Sequence, residues 1–422
     1  MALLGKRLGR RQMAGVMSTE DRRTRAHLDI PLLVLTYILA LFGVYCIAIA
    51  TFNPDKGTDL SVLNYILNSN SASWQAVFCL ASPLILAVMI SIPYELLRAQ
   101  TTRLVYLGLV GLLVLALASD KISGVSAWIP IGRGRTIQPA EFIKIGIIMM
   151  LARSFAAQRP FITLRNAAYN LTVFGVPVLI TIAQGEVGSV LVMCVVFYVM
   201  LFFADAKPWV LISLLAVAVL GVGTLIGYML VSGSSSFRLM RLLSFMDPEL
   251  YSDAGGYQVL QSQLAIGSGQ TSGIGTFVTG SLSQLNYVPE DWTDFIFSAI
   301  GEAFGFVGCA AVIAVYVLLL LRMLYLAYFT QDRYGSLIIY GVAAMFFAHI
   351  FENIGMTLGL LPITGIPLPF LSYGGSNFVT NMAGIGLVLN VVRNRSSATV
   401  YAIPMKLRTG RRSRRHKRRA AV

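Results

Sequence analysis

The sequence predicts an all-α polytopic membrane protein of about ten transmembrane helices, with a long extracytoplasmic loop between the seventh and eighth. Three observations predict it. The 422 residues are 56% hydrophobic and only 12% charged, against about a quarter charged for a soluble domain. Ten apolar stretches approach the roughly 20 residues of helix needed to cross a hydrocarbon core. The cations are distributed unevenly between alternate loops. Together these exclude a water-soluble globular enzyme.

The stretches run over residues 30–50, 74–92, 104–119, 141–154, 167–183, 187–204, 210–231, 294–321, 337–356 and 376–392. The third, fourth and tenth are short. Gln184-Gly185-Glu186, between the fifth and sixth, reads either as a tight turn or as a re-entrant kink. With the amino-terminal tail on the cytoplasmic side, 26 of the 33 Lys and Arg fall in cytoplasmic segments, 6 in the opposite loops, and Lys144 within a span. Both termini are therefore expected in the cytoplasm. The expected organisation is a basic tail (1–29), a membrane domain (30–392, with its long external loop at 232–293) and a second basic tail (393–422). The first tail has no apolar core with a cleavage site, so no signal peptide is expected.

The formal charge of +14 then reads as topology rather than as a nucleic-acid surface, and no nucleic-acid partner is expected. The carboxy-terminal run from Arg411 to Arg419 is read as an anchor to anionic lipid, or else as a dock for a cytoplasmic partner. Cys46, Cys79, Cys194 and Cys309 lie singly in apolar runs and read as buried, reduced side chains. No repeat and no paired interrupted helices support an inverted-repeat transporter.

Ionisable residues in the hydrocarbon region need a partner, a cavity or a function. They are Glu141, Lys144, Glu186, Asp294, Glu302, His349 and Glu352. Glu141 and Lys144 share a helix face after Gln138-Pro139. They read as an internal ion pair, or as a group in which Lys144, with Arg133 and Arg135, faces a phosphate-bearing ligand. Asp294 ends Pro289-Glu290-Asp291-Trp292-Thr293-Asp294. A carboxylate at a membrane boundary beside Phe295-Ile296-Phe297 is a candidate base, and equally a helix cap; spacing leaves the two even. Glu290 and Asp291 are candidates to join it around a hard divalent cation, or are simply solvated. His349 and Glu352 read as a satisfied polar pair.

The segment from Gly359 to Ser376 has too many prolines and glycines for regular helix, so its backbone must be satisfied by protein or water. Gly374-Gly375-Ser376 opens a helix and could offer amides to a pyrophosphate, though a structural re-entrant turn is the simpler reading. The amphipathic stretch from Tyr257 to Gly269 either rests on the membrane as a packing element or turns its Gln residues toward a polar substrate.

In order and in position relative to the spans, these stretches resemble the signature blocks of the SEDS family (shape, elongation, division and sporulation), over about residues 29–395. Gln138 to Lys144 resembles Q-P-S-E-x-x-K, Gln261 to Gly269 resembles Q-S-x-x-A-I-G-S-G, and Pro289 to Phe297 resembles P-E-x-x-T-D-F-I-F. Ile300-Gly301-Glu302-Ala303-Phe304-Gly305-Phe306 resembles the segment that follows. Gly359 to Ser376 resembles G-L-L-P-x-T-G-I-P-L-P-F-x-S-Y-G-G-S, with wording closer to the RodA elongation branch than to the FtsW division branch. Glu186 stands where an Asp is usual, Ala303 where a second Glu is common and Asn377 where a second Ser is. Gly124 to Gly132 lacks a basic pair ahead of Trp128.

The resemblance implies a peptidoglycan glycosyltransferase in the bacterial cytoplasmic membrane, polymerising lipid II at its outer face for elongation and shape. It implies a class B penicillin-binding protein as partner, alongside other elongation or division machinery and membrane lipid. It places the essential acid at Asp294, which resolves the even split. The residues expected to bind substrate are Arg133, Arg135, Glu141, Lys144, Gln263, Glu302, Ser372, Gly374, Gly375 and Ser376, with Arg238 and Arg241 as further cations. No cofactor is required by this reading, although Mg2+ or Mn2+ is compatible with it. The competing expectations are a lipid II flippase, a division polymerase and a non-catalytic scaffold.

Overall fold

The computed structural model describes residues 28–54, 61–120, 125–132, 135–157, 163–231, 244, 247–251 and 255–394. Arg133, Arg238, Arg241 and residues 1–27 and 395–422 of the basic tails lie outside the described residues.

Each apolar stretch forms a helix. The ten are α1 (Ile30–Ala50), α3 (Asn70–Ser91), α5 (Thr101–Leu117), α6 (Pro139–Ala157), α7 (Leu164–Gln184), α8 (Val187–Phe203), α9 (Pro208–Val231), α11 (Ile296–Tyr328), α12 (Arg333–Thr357) and α13 (Gly375–Asn394). Short helices α2 (Val62–Asn68) and α4 (Tyr94–Arg98) lie in connections, and α10 (Gly256–Ser268) lies in the long loop. Six of the ten are long and apolar enough to cross a bilayer by that measure alone, namely α1, α3, α7, α11, α12 and α13. Of the rest, α5, α8 and the first part of α9 are shorter apolar helices, and α6 carries Glu141, Lys144 and Arg153.

Local chemistry sets the helix ends. The Asp29 carboxylate accepts from Leu32 N at 3.0 Å, with Pro31 in the first turn, and starts α1. Ser69, Thr163 and Asp332 cap α3, α7 and α12 in the same way. The Gln184-Gly185-Glu186 break is a tight turn: Gly185 adopts φ 94°, closing α7 in the left-handed region that glycine tolerates.

Helix α12 is the buried centre, packed against α6, α8 and α11. The lipid-facing surface carries exposed Leu, Val and Phe on α3, α5, α9 and α11. Cys194 belongs to that surface: it is exposed, whereas the other three cysteines are buried as expected. One feature of the third loop is absent from the sequence reading, an antiparallel ribbon of β1 (Ile129–Gly132) and β2 (Arg135–Ile137).

Helix α11 is broken at Gly305, with φ 64° and ψ −162°. A broken helix in a membrane must find new partners for its backbone groups, and here the long loop supplies them. Ile274 N and Gly275 N donate to the Glu302 and Ala303 carbonyls at 3.0 and 3.2 Å, while Phe306 N and Val307 N donate to the Gln270 and Thr271 carbonyls at 2.9 and 3.1 Å. The loop is thereby fixed to the bundle. Helix α10 docks beside it, with Ser262 Oγ donating to the Thr357 carbonyl at 2.8 Å. This is the packing reading of that stretch.

Candidate active site

Two motif segments meet at one end of the bundle. The turn before α11 bends sharply, with Thr293 N and Phe295 N both donating to the Glu290 carbonyl at 3.0 and 3.1 Å. It delivers Asp294 half-buried, just ahead of the buried Phe295-Ile296-Phe297. The Pro/Gly segment between α12 and α13 lies against it. Tyr373 N donates to the Trp292 carbonyl at 2.9 Å, and Ser372 Oγ donates to the Thr293 carbonyl at 2.6 Å while accepting from Leu368 N at 2.8 Å. Gly365, at φ 72°, faces the Asp294 carboxylate so closely that a Cβ there would lie 3.2 Å from Oδ2.

The segment contains no regular helix, and side chains from three spans satisfy its carbonyls. Gln75 of α3 donates to the Ser372 carbonyl at 3.2 Å, Tyr316 of α11 to that of Pro369 at 2.6 Å, and Asn353 of α12 to that of Ile366 at 2.7 Å. Gly43 on α1 lies against the Phe370 and Leu371 backbone, and Gly188 on α8 against the Thr364 carbonyl, where any side chain would collide. The re-entrant reading of this segment is therefore its geometry.

The start of α13 joins this region to a buried polar group. Ser376 Oγ accepts from Gln138 N at 3.1 Å. Asn377 Nδ2 donates to Glu141 Oε2 at 3.0 Å, and Lys144 Nζ donates to Glu141 Oε1 at 2.7 Å and lies 2.9 Å from His349 Nε2. Glu141 and Lys144 are 2% and 1% exposed, which makes them the internal ion pair rather than a surface phosphate clamp. His349 thus pairs with Lys144, and Glu352 is buried separately without a hydrogen-bond partner among the described residues. Gln138 also donates to Glu186.

Arg135, on the exposed ribbon, stacks 3.6 Å above the Trp74 ring. Trp74 in turn touches Phe78, which packs on Gly375. This chain of contacts places Arg135 on the same face as the start of α13. Stacking uses the flat face of the guanidinium, whereas its N–H donors lie in plane.

Two residues expected at the substrate hold the scaffold. The buried Glu302 carboxylate accepts from Leu282 N, Ser283 N and Ser283 Oγ at 2.6, 3.0 and 2.7 Å, and Ser372 is buried in the stitching described above. Gln263 is exposed and donates to the Leu358 carbonyl at 3.1 Å. Gly374, Gly375 and Ser376 are partly exposed at the helix start. The sequence reading missed Gln75, Tyr316 and Asn353; the usable signal is a polar group on an apolar span beside a loop rich in proline.

Asp291 is fully buried. Burial pushes its carboxyl well above the usual carboxylate range, opposed by the nearby Ser283 hydroxyl and reinforced by repulsion from Glu302 and Glu290. It is not a solvated loop carboxylate. Among the described residues no group of three His, Cys, Asp or Glu converges to hold a metal ion.

Comparison with known proteins agrees with this architecture. The peptidoglycan glycosyltransferase MrdB of Escherichia coli (strain K12) is 36% identical over 313 residues, 74% of this chain and 82% of that protein. A probable peptidoglycan glycosyltransferase FtsW of Trichlorobacter lovleyi is 31% identical over 371 residues, 87% and 93% of the two chains. A solved structure described as the structural coordination of polymerization and crosslinking by a peptidoglycan synthase complex superposes with a TM-score of 0.70 at 26% identity, covering 87% of this chain and 98% of that one. Residues 26–397 match the cell cycle protein family typified by FtsW, RodA and SpoVE, and the chain belongs to that family, the SEDS proteins.

Proposed function

We propose that this multi-pass membrane protein is a peptidoglycan glycosyltransferase that polymerises lipid II at the outer face of the bacterial cytoplasmic membrane, with Asp294 as general base. The activity rests on the family and its named relatives. The role of Asp294 is carried by one observation: its turn is fastened to the opposing loop through the Trp292 and Thr293 carbonyls and to Asn353 of α12 through the Asp294 carbonyl, which leaves a half-buried carboxylate in a fixed place.

A sugar 4-hydroxyl of lipid II attacks the anomeric carbon of the growing chain, and the C–O bond to the lipid pyrophosphate breaks. Asp294 takes the hydroxyl proton as the new glycosidic bond forms. A positioned base of this kind contributes about 10²- to 10⁴-fold. Pyrophosphate departs without being protonated, so the second carboxylate of a glycoside hydrolase is not needed. Arg135 and the amides at the start of α13 supply positive potential on the same face. A Mg2+ or Mn2+ ion would enter as the counterion of the pyrophosphate, since Mg2+ is held by one or two carboxylates plus phosphate oxygens; no step depends on it.

The orientation follows from charge. Arg98, Arg153, Arg322 and Arg333 bind partners at the end of the bundle opposite Asp294: Asp332, the Ala99 carbonyl, Asp29 and Asp205. That end, where the described residues of α1 begin and those of α13 finish, is the cytoplasmic one on the charge rule. A class B penicillin-binding protein is the partner that crosslinks the product, and the elongation branch is favoured by the wording of the 359–376 segment.

The test supplies lipid II in detergent to the protein purified with that partner, where there is no membrane to cross. Glycan strands that vanish with Asp294→Asn support the assignment. Normal polymerisation by Asp294→Asn refutes the base, and no glycan from any folded preparation favours flipping or scaffolding.

A further inference from the structure

Asn353 sits on α12 with no exposure to solvent. Its Nδ2 donates to two carbonyls at once, that of Asp294 at 2.6 Å and that of Ile366 at 2.7 Å. Both partners are acceptors, so the nitrogen and not the oxygen must face them. The Oδ1 atom is buried with no hydrogen-bond partner among the described residues. Burying an unpaired acceptor is unfavourable, and an apolar side chain of similar shape would avoid it. What the amide does that an apolar group cannot is join two backbone segments.

Those segments flank the candidate base. One carries the main chain of Asp294 itself. The other holds Gly365, adjacent to Ile366, whose missing side chain leaves room for the Asp294 carboxylate. Tyr373 and Ser372 join the same two segments through the Trp292 and Thr293 carbonyls, but the Asn353 amide, on a third, buried element, is the link made at the Asp294 main chain and beside Gly365.

We propose that Asn353 is a positioning residue for Asp294, fixing the carboxylate against the Gly365 wall so that it meets the sugar hydroxyl in line. This rests on Asp294 acting as the base. Asn353 does not touch substrate; it acts through the two carbonyls.

The test compares Asn353→Leu and Asn353→Asp with the wild type, each purified with its penicillin-binding partner and assayed on lipid II in detergent. Misplacing a reacting group by about 1 Å costs on the order of 10²-fold. Both variants are therefore expected to lose roughly 10- to 100-fold in kcat per folded protein, with KM unchanged within about twofold, alongside a lower melting temperature from the two carbonyls left without their donor. Asp294→Glu, which moves the carboxylate by one methylene, provides the second arm of a cycle. If Asn353 acts through Asp294, the Asp294→Glu, Asn353→Leu double variant falls short of the product of the single losses.

Unchanged kcat, multiplicative losses, or activity that falls only in step with the amount of folded protein in both variants overturns the proposal. The arms also separate the two readings. Asp294→Asn that polymerises normally defeats the base assignment, whereas a silent Asp294→Asn beside a fully active Asn353→Leu defeats only the positioning role.

Discussion

Replacing Lys144 with Met tests whether the ion pair inside the bundle is architecture. Lys144 Nζ lies 2.7 Å from Glu141 Oε1 and 2.9 Å from His349 Nε2. At an effective dielectric of about 20, a pair at that separation attracts by roughly 6 kcal/mol. Removing both charges from water costs several kcal/mol each, so the net value of the pair is small. Removing one partner is different: Glu141 keeps the Asn377 donor but loses its cation. Leaving a buried charge unpaired costs about 3–5 kcal/mol. Lys144→Met should therefore destabilise the protein by that amount in reversible unfolding with SDS in mixed micelles. Glu141→Gln with Lys144→Met, which removes both charges, should recover most of it. A loss below about 1 kcal/mol for Lys144→Met, or no recovery in the double variant, would refute the buried-pair argument. A pyrophosphate role for Lys144 predicts the reverse pattern, with intact stability and a raised KM for lipid II.

Three further outcomes follow from the same geometry. Asp291 holds its proton in the folded protein above the ordinary carboxylate range, so the stability it contributes is present at low pH and is lost as pH rises through that raised value; the melting temperature should fall with rising pH less steeply in Asp291→Asn than in the wild type. Gly305→Ala places a Cβ against the 269–273 backbone at a φ/ψ that only glycine tolerates. It should cost at least about 1–3 kcal/mol, seen as a lower melting temperature and faster proteolysis of the 269–283 loop. Glu302→Gln replaces an acceptor of three hydrogen bonds by a group that brings two N–H donors. It should loosen the same loop by roughly 1.5–3 kcal/mol, read by hydrogen exchange at Leu282 and Ser283.

The spans were legible because a hydrocarbon solvent imposes one strong rule, about 20 apolar residues per crossing, and even α6 with its buried Glu141 and Lys144 was found as a short apolar stretch. Helix α10 was legible through its amphipathic pattern. The Gly359 to Ser376 segment could be read as irregular backbone, but not which side chains complete it. Gln75, Tyr316 and Asn353 act on carbonyls 297, 53 and 13 positions away in the chain, and no local period encodes a pairing of that kind. Glu302 and Ser372 carry the opposite lesson. Their residue types suit substrate binding, and only the structure shows their polar atoms already engaged with the loop backbone. The break at Gly305 was hidden because its flanks keep helical composition, and the strap that compensates for it comes from a separate loop.

The fastening of the Asp294 turn also has a consequence for biosynthesis. The turn at 290–295 is translated well before the 359–376 segment that grips it, and the clamp on α12 lies between them in the chain. A nascent protein therefore presents the Asp294 carboxylate long before that carboxylate is fixed, and on the proposed role of Asp294 competence arrives only when the tenth span is in place. Truncated or stalled chains should be catalytically silent however many spans they have placed, so the cell is protected from unfinished polymerases by the order in which the ribosome delivers the parts.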